Sequence, residues 1–121
     1  MRRAADITPD SEAAAWIGLN LIPEVGPVRF RQLVERLGSA REVLNAPQGR
    51  LIGVHGIGNH VARSITEHRG GLTEAVAADL ERMRRYPDLG LLLYPDADYP
   101  APLKDLHDPP MVLYCRGNWT E

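Results

Sequence analysis

Apolar residues recur at helical spacing through the first 86 positions of the chain and gather into short unbroken runs afterwards. Thr8-Pro9 predicts the opening of a first helix, with Thr8 as N-cap, Pro9 at the first helical position and Asp10 and Glu12 in the first turn. Its stripe is Ala13, Trp16, Ile17 and Leu21, and Pro23 ends it. A second helix begins at about Pro27, carries Val28, Leu33, Val34 and Leu37, and stops at Gly38. Ser39 and Glu42 stand at capping-box spacing and open a short helix to about Asn45. Pro47 starts another short turn, Asn59 to His68 forms a helix with Val61, Ala62 and Ile65 inward, and Gly70-Gly71 precedes a long helix from Leu72 to about Tyr86. Val76, Leu80 and Met83 share one face of that last helix.

After Pro87 the pattern changes. Leu91–Tyr94 and Met111–Cys115 are strand candidates, separated by a turn-rich PDADYPAP stretch and bounded by Pro109-Pro110 and Gly117. The chain therefore divides into a helical unit, residues 1–86, and the start of a strand-containing unit, residues 87–121, with Tyr86-Pro87 as the hinge. Two short strands are marginal alone, so order in this segment requires that they pair with each other or with another chain. Tyr99 and Tyr114 are expected to anchor the strand segment against the helices.

The helical unit contains an internal repeat at an offset of 32 residues. Leu19-x-x-Ile22-x-Glu24-Val25-Gly26-x-x-x-Phe30 aligns with Leu51-x-x-Val54-x-Gly56-Ile57-Gly58-x-x-x-Ala62, and Arg31 with Arg63. The second copy resembles the helix-hairpin-helix motif at every position. In such a hairpin the glycines permit unusual backbone angles and close approach, while the N–H groups at the start of the following helix favour an anion. The resemblance implies contact with a DNA phosphate through Gly56, Ile57 and Gly58, with Asn59, His60 and Arg63 adding side-chain contacts. The same glycines serve equally as a tight helix–helix turn. In the first copy Glu24 replaces a glycine and puts a carboxylate near any phosphate, so Gly26, Arg29 and Arg31 are its candidate contacts and a fold-stabilising role competes with binding.

Net charge is −2, which gives no general basic signature. Its distribution is uneven: residues 22–69 hold seven arginines against four acids, residues 86–121 two cations against six acids. Thirteen of the fourteen cations are arginine, the residue suited to forked phosphate contacts. The single cysteine, Cys115, excludes an intramolecular disulfide and reads as a small buried hydrophobe. His55, His60, His68 and His107 lack metal-ligand spacing, and no nucleophile motif surrounds Ser11, Ser39 or Ser64, so neither a metal, a cofactor nor catalysis is expected. Asp96-x-Asp98 reads as turn chemistry. Trp16, Trp119 and the tyrosines are too scattered for a base-stacking platform. There is no apolar run of membrane-spanning length and no signal peptide, which places the expected site of action in the cytoplasm, away from membranes.

Residues 96–117 resemble the segment of DprA/Smf DNA-processing proteins that leads into their Rossmann-like domain. Asp98, Tyr99, Pro100, Leu103, Asp108, Pro109, Pro110, Leu113, Tyr114 and Gly117 carry the resemblance, and a helical domain with hairpin motifs precedes the segment in that family. The fold implied is mainly α, a compact multi-helix bundle with tandem helix-hairpin-helix (SAM-like) motifs, followed by a short β-containing segment of a truncated α/β Rossmann-like domain. The function implied is non-catalytic: binding of single-stranded DNA in natural transformation and recombination, its protection, and loading of the RecA recombinase, with a homodimer in the full-length protein. The family's main DNA site lies beyond Glu121, so the chain is expected to act as an N-terminal accessory fragment with weak DNA contacts of its own. The alternative is a protein-interaction or regulatory module without DNA contact.

Overall fold

The computed structural model describes residues 1–117. The chain is mainly α with a small antiparallel sheet. Helix α1 (Glu12–Leu21) is followed by α2 (Gly26–Leu37), α3 (Ala40–Asn45), α4 (Gln48–Ile52), α5 (Asn59–His68) and α6 (Leu72–Arg84). Strand β1 (Leu89–Leu93), helix α7 (Ala101–Lys104) and strand β2 (Val112–Arg116) complete it.

The first helix begins later than Thr8-Pro9 predicts. Those residues form a turn, and Ser11 is the N-cap, its hydroxyl accepting the Ala14 N–H at 3.1 Å and donating to the Thr8 carbonyl at 2.7 Å. A serine hydroxyl one turn further on thus competes successfully with the threonine. The buried face shifts with it: Ala14, Trp16, Ile17, Gly18 and Leu19 are buried, whereas Leu21 is 41% exposed and Ala13 only partly covered. On α2, Phe30 and Leu33 face the core while Val28 is exposed. The Trp16 and Phe30 rings meet at a centroid distance of 4.7 Å and join α1 to α2. Helices α5 and α6 follow the expected pattern: Val61, Ala62 and Ile65 are buried on one, Val76, Leu80 and Met83 on the other.

The two strands pair with each other, Leu91 opposite Tyr114 and Leu93 opposite Val112. Successive residues of β1 point to opposite faces. Leu91 and Leu93 enter the core that the helices share, while Leu92 joins Tyr99 and Cys115 in a second small cluster. Residues 1–86 are not helical throughout: Arg2 exchanges both backbone hydrogen bonds with Leu91, at 2.9 and 2.7 Å, and so lines the far edge of β1. The turn-rich segment contains the single turn of α7, which its proline-dense sequence hid. Tyr99 anchors that segment to itself, its hydroxyl donating to the Pro110 carbonyl at 2.7 Å. Tyr114 instead reaches the helices, where its hydroxyl donates to the buried Asp79 carboxylate of α6, which Arg82 also pairs. Asp96 acts as turn chemistry, accepting the Leu93 N–H at 2.8 Å, and also takes the Arg2 guanidinium at 2.5 Å. Trp119 lies outside the described residues.

Candidate nucleic-acid interface

The turn between α4 and α5 is built from apolar residues that the helices bury. Leu51, Val54, Ile57 and Ala62 are each at most 4% exposed. With these inward, the backbone from Gly56 to Gly58 has to pass outside them. Gly56 adopts φ +88°, and the Gln32 amide oxygen of α2 lies 3.0 Å from where a β-carbon would stand. Gly58 differs in both respects. Its backbone is extended, at φ −88° and ψ 179°, and a β-carbon there would meet nothing within 4 Å. The chain's own structure therefore places no demand for glycine at position 58.

Helix α5 starts directly after Gly58 without a side-chain cap, whereas serine hydroxyls cap α1 and α3. Its first N–H groups lack intrahelical acceptors and carry the positive end of the helix dipole. Asn59, His60 and Arg63 are exposed on this first turn and the next, and Arg63 takes part in no ion pair among the described residues. Beside the turn, a shallow groove of about 540 Å³ is lined by Gln32, Glu35, Arg36, Gly53, Val54 and His55.

The first hairpin lies against the second. The Ser64 hydroxyl of α5 donates to the Pro23 carbonyl at 2.8 Å, and the Glu24 carboxylate pairs with the His60 ring. The repeat is visible in the backbone as well: Glu24 holds φ +74° where its counterpart Gly56 holds +88°. Val25 is buried as Ile57 is. The copies diverge one step later, because Gly26 has φ +66° while Gly58 is extended. The carboxylate that the sequence places near the first hairpin thus also stands beside α5.

Gly56, Ile57, Gly58, Asn59, His60 and Arg63 come together around one turn, with Gly26 and Arg29 on the adjoining hairpin. Arg29 is exposed and its Nη1 lies 3.5 Å from the Glu24 carbonyl. Arg31 points elsewhere. Its guanidinium stands 5.7 Å from the centre of the Tyr94 ring and donates to the Tyr94 hydroxyl at 3.3 Å, which commits it to the strand segment. The same ring receives the Lys104 ammonium at 5.2 Å. Gln32, the neighbour of Gly56, escaped the sequence reading because only tertiary packing brings α2 to that turn.

Among the described residues no three His, Cys, Asp or Glu side chains are grouped to hold a metal ion, and no helix is long and apolar enough to cross a membrane. Residues 16–69 match the helix-hairpin-helix motif family, an arrangement consistent with binding nucleic acid. No curated protein and no solved structure matches the chain.

Proposed function

We propose that the turn at Gly56–Gly58 grips the DNA backbone, one phosphate seated on the open N–H groups of α5, without reading base sequence. The observation that carries this is Gly58: extended backbone and empty space in front of it make glycine dispensable to the fold, yet its lack of a side chain lets a phosphate reach the helix end. Arg63 adds a cation one turn further along. The chain then acts by binding rather than catalysis. We further propose that it is the N-terminal part of a DNA-processing protein of the DprA/Smf type, an accessory to single-stranded DNA protection and RecA loading in transformation. The DYP and DPP segments support that reading by behaving as one unit, the Tyr99 hydroxyl of one bonded to the Pro110 carbonyl of the other. A protein-binding role for the first hairpin draws support from Glu24, whose carboxylate opposes phosphate there.

Titration of the ¹⁵N-labelled chain with a single-stranded oligonucleotide tests the proposal. Amide shifts are expected at Gly56–Arg63, with dissociation constants on the order of 10⁻⁴–10⁻⁶ M. Gly58→Val abolishes the shifts with little change in stability. Arg63→Ala reduces the salt slope by about one. Glu24→Gln tightens binding by removing the opposing charge. Shifts confined to other regions, or none, would refute phosphate capture at this turn.

A further inference from the structure

A groove of about 530 Å³ runs along α6, lined by parts of α1 and α3, and takes no residue from either hairpin. Its floor follows from the sequence. Gly18 leaves α1 without a side chain where a β-carbon would stand 3.4 Å from both Leu72 and Val76. Leu72, Val76 and Leu80 recur at i, i+4 and i+8, so an apolar side chain stands at each turn of α6 over about 12 Å. Val76 and Leu80 are covered by their neighbours, while Leu72 and Leu44 remain half-buried and Ala77 exposed.

Three arginines border this floor: Arg41 on α3, Arg69 before α6 and Arg84 at its end. Arg69 is held in place by the Leu44 carbonyl, at 3.1 Å, and by the Ala46 carbonyl, so little side-chain freedom remains to be lost on binding. Arg41 makes no ion pair among the described residues, and Arg84 pairs with the exposed Glu81 at 3.1 Å. Among the described residues Asp10 is the one acid lining the groove, against three cations. Arg69 and Arg84 are fifteen positions apart, about 22 Å along a helical path.

We infer that this groove docks an acidic amphipathic helix of a partner protein, about three turns long. Apolar anchors spaced by turns, with cations toward both ends, fit the helix-in-groove mode of recognition. A compact small molecule would engage one end only. A nucleic-acid backbone would satisfy the arginines but leave Leu44, Leu72 and Ala77 without an apolar partner. The surface is separate from the hairpin turn, so DNA and partner can be held together.

The test uses a fluorescein-labelled peptide of about 14 residues with leucines at helical spacing and glutamates elsewhere, alongside a version with lysine for glutamate. The acidic peptide should bind and shift the amides of Gly18, Leu72 and Ala77, and the basic one should bind roughly tenfold more weakly or worse. Arg41→Glu combined with Arg84→Glu should weaken the acidic peptide by about tenfold or more. Ala77→Glu, at an exposed position that leaves the core intact, should do the same. The inference is overturned by no shift at about 1 mM peptide, a concentration that detects even millimolar affinity, by equal binding of both peptides, or by shifts mapping to Gly56–Arg63. It is equally overturned if the groove amides shift with protein concentration alone, which would assign the groove to a second copy of the chain.

Discussion

Gly56 and Gly58 stand two positions apart and obey opposite constraints. At Gly56 the left-handed φ of +88° disfavours a side chain, and the Gln32 amide oxygen, 3.0 Å from where a β-carbon would stand, would have to move aside. Gly56→Ala is expected to destabilise the protein by about 1–2 kcal/mol, the strain of an L-residue in that region. At Gly58 the extended backbone at a helix N-cap suits serine, so Gly58→Ser should raise stability by a few tenths of a kcal/mol. Urea unfolding of the two variants checks the pair: equal effects would mean that the turn does not separate a structural from a functional glycine. Glu24 shows that the first position does not strictly need glycine, since it holds φ +74° with a full side chain.

Among the elements, α3 shows how a short helix depends on a partner. Six residues are too few for a helix to persist by propensity. The Ser39 hydroxyl accepts the Glu42 N–H at 3.1 Å, as the capping box predicts. Glu12 of α1 adds a second acceptor at this end: its carboxylate accepts the Ala40 and Arg41 N–H groups at 2.6 and 3.2 Å and the Trp16 indole N–H at 2.9 Å. One carboxylate thereby fixes the first turn of α3, the orientation of the core indole and the angle between two helices. Glu12→Ala should cost about 1–3 kcal/mol, because part-buried donors lose their acceptor. The accompanying changes are a shift in Trp16 fluorescence and faster exchange of the Ala40 and Arg41 amides. Unchanged exchange at those two amides would show that water replaces the carboxylate without loss.

At the scale of the molecule, Tyr114 is a polar tie between sheet and helices. The residue is 38% exposed, but its hydroxyl is bonded to Asp79 of α6. Burial, reinforced by the hydrogen bond to the carboxylate, pushes its pKa well above the usual tyrosine value. The unfolded chain releases this proton near pH 10 while the folded chain retains it. The linked stability is therefore complete below pH 10 and falls as pH rises beyond it. Tyr114→Phe should lower stability by about 1.5 kcal/mol at neutral pH, the low end for a bond to a charged acceptor because Arg82 still pairs Asp79. It should also remove this share of the alkaline decline. Urea titrations at pH 7 and pH 10.5 provide the measurement, and parallel pH dependence in the two proteins would exclude the Tyr114 link.

Local pattern was enough to reveal α1, α2, α3, α5 and α6, the two strands, the internal repeat and the residues of the second hairpin. Each of these rests on interactions between near neighbours: helical periodicity, a glycine after the last turn, apolar runs bounded by prolines. At the start of α1, where Thr8 was the expected cap, hydrogen-bond geometry placed the cap at Ser11 instead. The tertiary structure alone determined which side chains meet across the chain. It carried Arg31 to Tyr94, although its place in the repeat suggested a phosphate contact. It set Gln32 against Gly56, brought Glu24 beside His60, gave the Ala40 N–H of α3 an acceptor 28 positions away, and drew Arg2 onto the edge of β1. Such pairings depend on how helices pack around a shared core, and that packing has no period that a sequence can display.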